Sequence, residues 1–230
     1  MQNQGYILKE QKRIADMVTN KFKDYYLTGG TALAFYAKHR YSEDLDFFSQ
    51  KYDNKMPDKI MAYIAKETGF QYKLDDEQDD PKLIPMKVYS MTLKGGEALK
   101  IDFVKDYTDN IGPVKNGIHS IEDIYYRKIC AAIGSQEKQG ETGHAMATGR
   151  QSIKDLFDLY YLSSKYKPLS EFFFEYFSYD KVQRLEAWYR GFNRTETKFA
   201  LMDLIPKVDT GRVFKHLDDQ ILKQIPGKLT

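Results

Sequence analysis

YYLTGGTALAFYAKHRYSEDLDFFSQ, residues 25–50, decides the reading of the fold. Tyr25–Leu27 reads as a short apolar strand running into Gly29-Gly30-Thr31. That turn opens a helix over Thr31–Lys38, and Leu45–Phe48 reads as the next strand. Residues two apart in a strand face the same side. Asp44 and Asp46 therefore point together, while Leu45 and Phe47 point into the core. Two carboxylates on one face repel each other unless a cation lies between them. Glycine amides at a helix start suit phosphate. A metal–nucleotide site uses both halves of the stretch.

An isolated Asp-x-Asp is equally well read as a solvated strand end. Three features favour the metal reading: Phe47-Phe48 after the acids, the glycine turn one short helix before them, and a third acid. Asp102 lies in the apolar strand Leu99–Val104, where Ile101 and Phe103 take the opposite, core-facing side. A charge there costs free energy if it is buried without a partner. An arginine partner or a solvated sheet face would also satisfy it. With Asp44 and Asp46 it makes the three-carboxylate set expected for two magnesium ions, which favour carboxylate oxygens, water and substrate phosphates.

With 42% hydrophobic content, 230 residues suffice for one large domain or two small ones. The net charge of +2 excludes a polybasic nucleic-acid protein, so RNA or DNA binding would need a local patch. The lone Cys130 excludes an internal disulfide and a cysteine zinc site, and fits a reducing compartment. No signal peptide or membrane-spanning run is visible, so a soluble cytoplasmic protein is expected. The four histidines show no metal spacing, and no P-loop or nucleophile elbow is present.

Ile7–Phe22 reads as an amphipathic helix with Ile14, Met17 and Val18 on its apolar face. A second helix runs from Pro57 to about Thr68 and is closed by Gly69. Phe70–Leu74 reads as a strand followed by an acidic loop, Asp75–Asp80. Lys87–Leu93 and Ala98–Val104 make a hairpin around Gly95-Gly96. Ile111–Gly117, with its Gly-Pro and Asn-Gly breakers, reads as a linker. Beyond it the chain turns helical. Ser120 and Asp123 resemble a capping box opening a helix to about Ile133. Gly134–Gly149 reads as a polar loop, Ile153–Ser163 as a helix, and aromatic-rich helices follow. The expectation is an α/β lobe over residues 1–117 and a helical lobe over 118–230, facing a nucleotide cleft.

Lys128 falls in the apolar stripe of Ile121, Ile124, Tyr125 and Ala132. Its stem can snorkel from that face, or its ammonium can reach a nucleotide phosphate; the pattern favours neither. In Arg150–Tyr160, Lys154 and Asp158 have the spacing of an ordinary surface pair. Asp155 suits the helix dipole at its N-terminus. Arg150 and Lys154, one turn apart, could instead face phosphate. Alone, this segment favours the bland reading.

Taken together and in order, these residues resemble a known family. Gly29-Gly30-Thr31-Ala32-Leu33 and Arg40-Tyr41-Ser42-Glu43-Asp44-Leu45-Asp46-Phe47-Phe48 are similar to the opening motif of the AbiEii/AbiGii-type nucleotidyltransferase toxins, within the DNA polymerase β-like superfamily. Lys100–Phe103, Ser120–Asp123 leading to Lys128, and Arg150 with Lys154–Leu159 continue the resemblance to about Leu162. It implies an α+β fold: a polymerase β-like lobe with a mixed sheet, then a helical lobe. The implied activity is magnesium-dependent transfer of a nucleoside monophosphate from an NTP, with tRNA as a possible acceptor and a cognate antitoxin as a possible partner. By the same resemblance Asp44, Asp46 and Asp102 hold metal, or Asp102 serves as base. Gly29, Gly30, Thr31, Ser42, Lys128, Arg150 and Lys154 meet the nucleotide, and Asp155 is a further functional acid. Thr31 stands where the superfamily usually has serine, and the 136–148 stretch is longer than the family's connection. A small-molecule or protein nucleotidyltransferase, or a non-catalytic nucleotide binder, would share the motif.

Overall fold

The computed structural model describes residues 2–80, 82–134 and 149–228. The chain divides into two compact units: Met1–Ala37 with Ser42–Ile124, and Lys38–Tyr41 with Tyr125–Thr230.

In the first unit, α1 (Gln2–Lys21) buries Ile14, Ala15 and Val18, the side chains that recur at helical spacing. β1 (Tyr26–Thr28) leads directly into α2 (Gly29–Ala37), and β2 (Asp44–Ser49) follows. α3 (Met56–Thr68) ends on Gly69, which holds a left-handed φ of 75° and donates its N–H to the Ala65 carbonyl. Then come β3 (Gln71–Gln78), β4 (Met86–Thr92) and β5 (Ala98–Lys105). The sheet runs β1-β2-β5-β4-β3 and is mixed, since β2 pairs parallel to β5 and the other neighbours are antiparallel. Gly95 and Gly96, at φ 101° and 88°, make the tight turn between β4 and β5.

One face of the central strands is apolar. Leu27, Leu45, Phe47, Ile101 and Phe103 are completely buried, with Phe47 stacked on Phe103 at 5.4 Å between centroids. The other face carries Thr28, Asp44, Asp46 and Asp102. Alternation along β2 therefore produces both the core and the acidic surface.

Two sequence expectations are corrected in this unit. The acidic run after Leu74 is not a loop: β3 continues through Asp75, Asp76 and Glu77 to Gln78, with a bulge between Leu74 and Asp76. It is an edge strand with one side in water, where charge is tolerated and discourages further pairing. Nor is Ile111–Gly117 a free linker. The Asp123 carboxylate accepts the N–H groups of Ile111 and Gly112 at 2.8 and 3.0 Å. Gly117 accepts from the Leu27 N–H, and Leu27 from the His119 N–H. The segment closes on β1, turning at Asn116 and Gly117, both at positive φ. Ser120 then caps α4 (Ile121–Ile133), its hydroxyl accepting the Asp123 N–H at 3.1 Å and donating to the Asp123 carboxylate.

The second unit is helical: the Tyr125–Ile133 part of α4, then α5 (Ile153–Lys165), α6 (Leu169–Tyr176), α7 (Val182–Arg190), α8 (Arg194–Met202) and α9 (Thr210–Asp219), which runs into a π-helical turn at Gln220–Gln224. Helix α5 touches α6, α8 and α9. The aromatic residues of this half fill its core: Tyr125 stacks on Phe172 at 4.1 Å, and Phe173, Trp188 and Tyr189 are buried. Most of the expected polar loop, residues 135–148, lies outside the described residues.

Gly69 and Gly117 separate backbone strain from steric overlap. A Cβ on Gly69 meets open space, whereas one on Gly117 would overlap Thr19 on α1. We expect Gly69→Ala to cost about 1 kcal/mol, for the left-handed φ alone, and Gly117→Ala about 2–4 kcal/mol, for φ plus overlap. Urea unfolding of the two variants checks the difference, and equal costs would refute it.

Candidate active site

Register builds the acidic face. Asp46 is paired with Asp102 across the parallel β2–β5 ladder, and Asp44 with Lys100. Aligned residues in neighbouring strands share a face, so Asp44, Asp46, Asp102 and Lys100 stand together on the side opposite the core. Asp44 and Asp46 are half-buried and Asp102 is buried. Gly29 lies against this group at φ 73°. A Cβ there would overlap the Asp46 Oδ2 and stand 3.3 Å from its Cγ. Residue 29 is glycine on two counts, backbone angle and close approach. Gly30 and Thr31 are buried in the first turn of α2. The Thr31 hydroxyl donates to the Asp44 carbonyl, so it anchors the start of the acidic strand. Ser42 is buried beside that start, with its carbonyl accepting from Gln11 Nε2 at 3.0 Å.

Lys100, a residue that no local pattern singles out, is a cation on this face. Its Nζ donates to Asp102 Oδ2 at 2.6 Å. Partial burial pulls the Lys100 pKa down. The hydrogen bond and charge of Asp102, with the charges of Asp44 and Asp46, outweigh that and hold it above the ordinary lysine value. Among the described residues, no three of the His, Cys, Asp and Glu side chains converge closely enough to hold a metal ion. The donor type nonetheless fits a hard divalent cation: three carboxylates on one face, in register. One of the three, Asp102, is paired with the Lys100 ammonium.

The second unit holds a buried ionic cluster. Asp158 is fully buried and hydrogen-bonds His39 Nε2 at 2.7 Å, Arg40 Nε and a terminal Arg40 nitrogen at 2.6 and 2.8 Å, and pairs with Lys128 Nζ at 2.7 Å. Lys128 Nζ also donates to Asp155 Oδ1 at 2.5 Å, and Arg150 Nε donates to Asp155 Oδ2 at 2.8 Å. Burial pushes the Asp158 pKa up. Lys128, His39 and Arg40 more than reverse this and hold the carboxyl well below the usual range. Burial likewise pulls Lys128 down, and Asp158 and Asp155 override it upward. Lys128 is 6% exposed and Arg150 67%, so Arg150 is the member that reaches water. Its carbonyl is held by Trp188 Nε1 at 3.0 Å, and its N–H by the Ala131 carbonyl. Lys154 sits half-buried in the first turn of α5.

The expected sites thus fall into two groups. Gly29, Gly30, Thr31, Ser42, Asp44, Asp46 and Asp102 belong to the first unit, and Lys128, Arg150, Lys154 and Asp155 to the second. Asp158 corrects the surface-pair reading: it is the most buried acid of its cluster, not a partner for Lys154 at the surface. His39 and Arg40 join it from the connector before β2. The sequence signal was the spacing of Asp155 and Asp158, one helical turn apart in the otherwise apolar DLFDLYYL, which puts both acids on one buried face.

Residues 15–224 match the family described as nucleotidyl transferase AbiEii toxin, type IV TA system. The chain belongs to this family. The AbiEii match spans both units. Two solved structures from Helicobacter pylori are similar in fold. One is JHP933, at 19% identity and a TM-score of 0.61, covering 99% of this chain and 94% of that one. The other is a protein described as a "putative nucleotidyltransferase", at 20% identity and a TM-score of 0.57, covering 97% and 96%. Among curated proteins none matches the chain. Among the described residues no helix is long and apolar enough to cross a membrane.

Removing Asp158 leaves buried cations facing one another. We expect Asp158→Asn to cost about 3–5 kcal/mol, read by chemical denaturation. The folded Asp158 pKa lies below its ordinary value of 3.8. Its contribution is therefore present above that value and lost as the pH falls from about 4 toward the depressed folded pKa. Acid titration should show the Asp158→Asn variant lacking this part of the wild-type acid destabilisation. A matching pH profile in the two proteins would contradict the assignment.

Proposed function

We propose that this AbiEii-family chain is a magnesium-dependent nucleotidyltransferase that moves a nucleoside monophosphate from an NTP to an acceptor hydroxyl, with a tRNA end as the acceptor. The observation that carries the reading is the register of Asp44, Asp46 and Asp102 on one sheet face, with Asp46 pressed against Gly29. Those three carboxylates would hold the metal, which when bound supplies charge neutralisation at the triphosphate and a more acidic acceptor hydroxyl.

The chain's own residues do the rest. Asp102 lies nearest the core and would take the proton of the acceptor hydroxyl. The hydroxyl oxygen forms its bond to the α-phosphorus as the bond from that phosphorus to the bridging oxygen breaks, and pyrophosphate leaves with the electron pair. Arg150, exposed and braced by Asp155, would meet phosphate through a planar fork. Lys128 is enclosed by two carboxylates, so its role would be to fix Asp155 and through it Arg150. Thr31 positions Asp44 through its carbonyl, Gly29 leaves room for the Asp46 carboxylate, and the Gly30 amide at the start of α2 would meet phosphate. Ser42, buried beside the start of β2, and Lys154, in the first turn of α5, would be further nucleotide contacts. Membership in a toxin family of type IV systems supports an antitoxin partner. The reducing compartment suggested by a lone cysteine supports a cytoplasmic setting.

The test is incubation of the full chain with magnesium and each NTP labelled at the α-phosphate, with total tRNA, protein and metabolites as acceptors. Label should move to tRNA. Asp46→Asn should lower transfer at least ~100-fold, and Arg150→Ala should raise the NTP KM roughly tenfold, both with unchanged circular dichroism. Label on a small molecule or a protein would move the acceptor class. No NTP binding and no transfer to any acceptor would sink the enzyme reading.

A further inference from the structure

Lys100 shares its β-ladder position with Asp44 and stands two residues before Asp102, on the face of all three acids. Its Nζ donates to Asp102 Oδ2 at 2.6 Å, yet the side chain is 46% exposed. We infer that Lys100 is a resident counter-cation of Asp102, a positioning residue that occupies one carboxylate of the acidic face before a divalent ion arrives and that the ion must displace. The inference rests on the reading that this face binds a divalent cation.

The physical argument is competition for the same oxygen. An ammonium is a monovalent point charge with three donors on a flexible stem. Its charge offsets part of the repulsion among the acids while no metal is bound. A divalent ion carries twice the charge and binds the carboxylate oxygens directly, including the one that Lys100 occupies. Displacement is easy because the Lys100 stem already reaches water, and a half-exposed pair is weak. Lys128, which is enclosed, has no such exit. A Lys100–Asp102 pair standing outside the metal site would give the same bond with little influence on metal affinity, which makes the two accounts separable.

The measurement is Mn2+ titration of the full chain, with free Mn2+ read by electron paramagnetic resonance, for wild type, Lys100→Met and Asp46→Asn. Methionine keeps the stem and removes the charge. Lys100→Met should bind Mn2+ roughly five- to tenfold more tightly than wild type. Its Tm in EDTA should fall, and Mn2+ should raise that Tm by more than it raises the wild-type value. Equal or weaker Mn2+ binding by Lys100→Met, with binding still lost in Asp46→Asn, overturns the role of Lys100 and leaves the metal site standing. If neither wild type nor Lys100→Met binds Mn2+ in an Asp46-dependent way, the metal reading fails and this inference fails with it.

Discussion

A carboxylate with no access to water must be surrounded by donors or it will not stay charged, and Asp158 meets that demand with three partners. Two of them, His39 and Arg40, lie in the connector between α2 and β2; the third, Lys128, comes from α4. Tyr41 adds a backbone hydrogen bond to the Ile205 carbonyl at 2.7 Å. The connector is thereby fixed within the second unit just before the chain enters the acidic strand. Breaking such a pair leaves a buried uncompensated charge, so the arrangement tolerates little variation.

The acidic strand is oriented by neutral contacts. Thr31 holds the Asp44 carbonyl, Gln11 holds the Ser42 carbonyl, and the missing side chain at Gly29 makes room for the Asp46 carboxylate. None of these contacts neutralises charge. On the acidic face Lys100 pairs with Asp102, while the second unit's cluster sets Arg40, Lys128 and Arg150 against Asp155 and Asp158. The first unit thus sets its acids beside a glycine turn, and the second ends its ionic cluster in an exposed arginine.

Much of this was legible in the sequence, for a specific reason. Strand alternation around Asp44-Leu45-Asp46-Phe47 and Ile101-Asp102-Phe103 depends on a period of two, and it survives into the sheet. The hairpin at Gly95-Gly96 and the stop at Gly69 were readable because positive φ favours glycine. What escaped depended on pairing across the chain. The run after Leu74 has the composition of a loop, yet it adds to the edge of β4 by backbone hydrogen bonds that composition does not report. Ile111–Gly117 has breakers, but its amides find the Asp123 carboxylate. Lys100 is an exposed lysine in a strand until β2 is laid beside it. Asp158 pairs with residues 118 and 119 positions away, beyond the reach of any local pattern.

The two lysines show how the same pair of groups can serve opposite ends. Lys128 and Asp158 are both enclosed, so parting them would strand charges in a medium that cannot solvate them, at a cost of about 3–5 kcal/mol. Such a pair is architecture, fixed for the life of the fold. Lys100 and Asp102 differ in one respect, the water that reaches the lysine stem, and there the cost of parting falls to about 1 kcal/mol or less. A contact that cheap can be exchanged for a better cation whenever one is present. Exposure, not bond length, separates the two: the bonds are nearly equal, at 2.7 Å for Lys128–Asp158 and 2.6 Å for Lys100–Asp102. A site that must trade cations needs its resident one to sit where solvent can take it back.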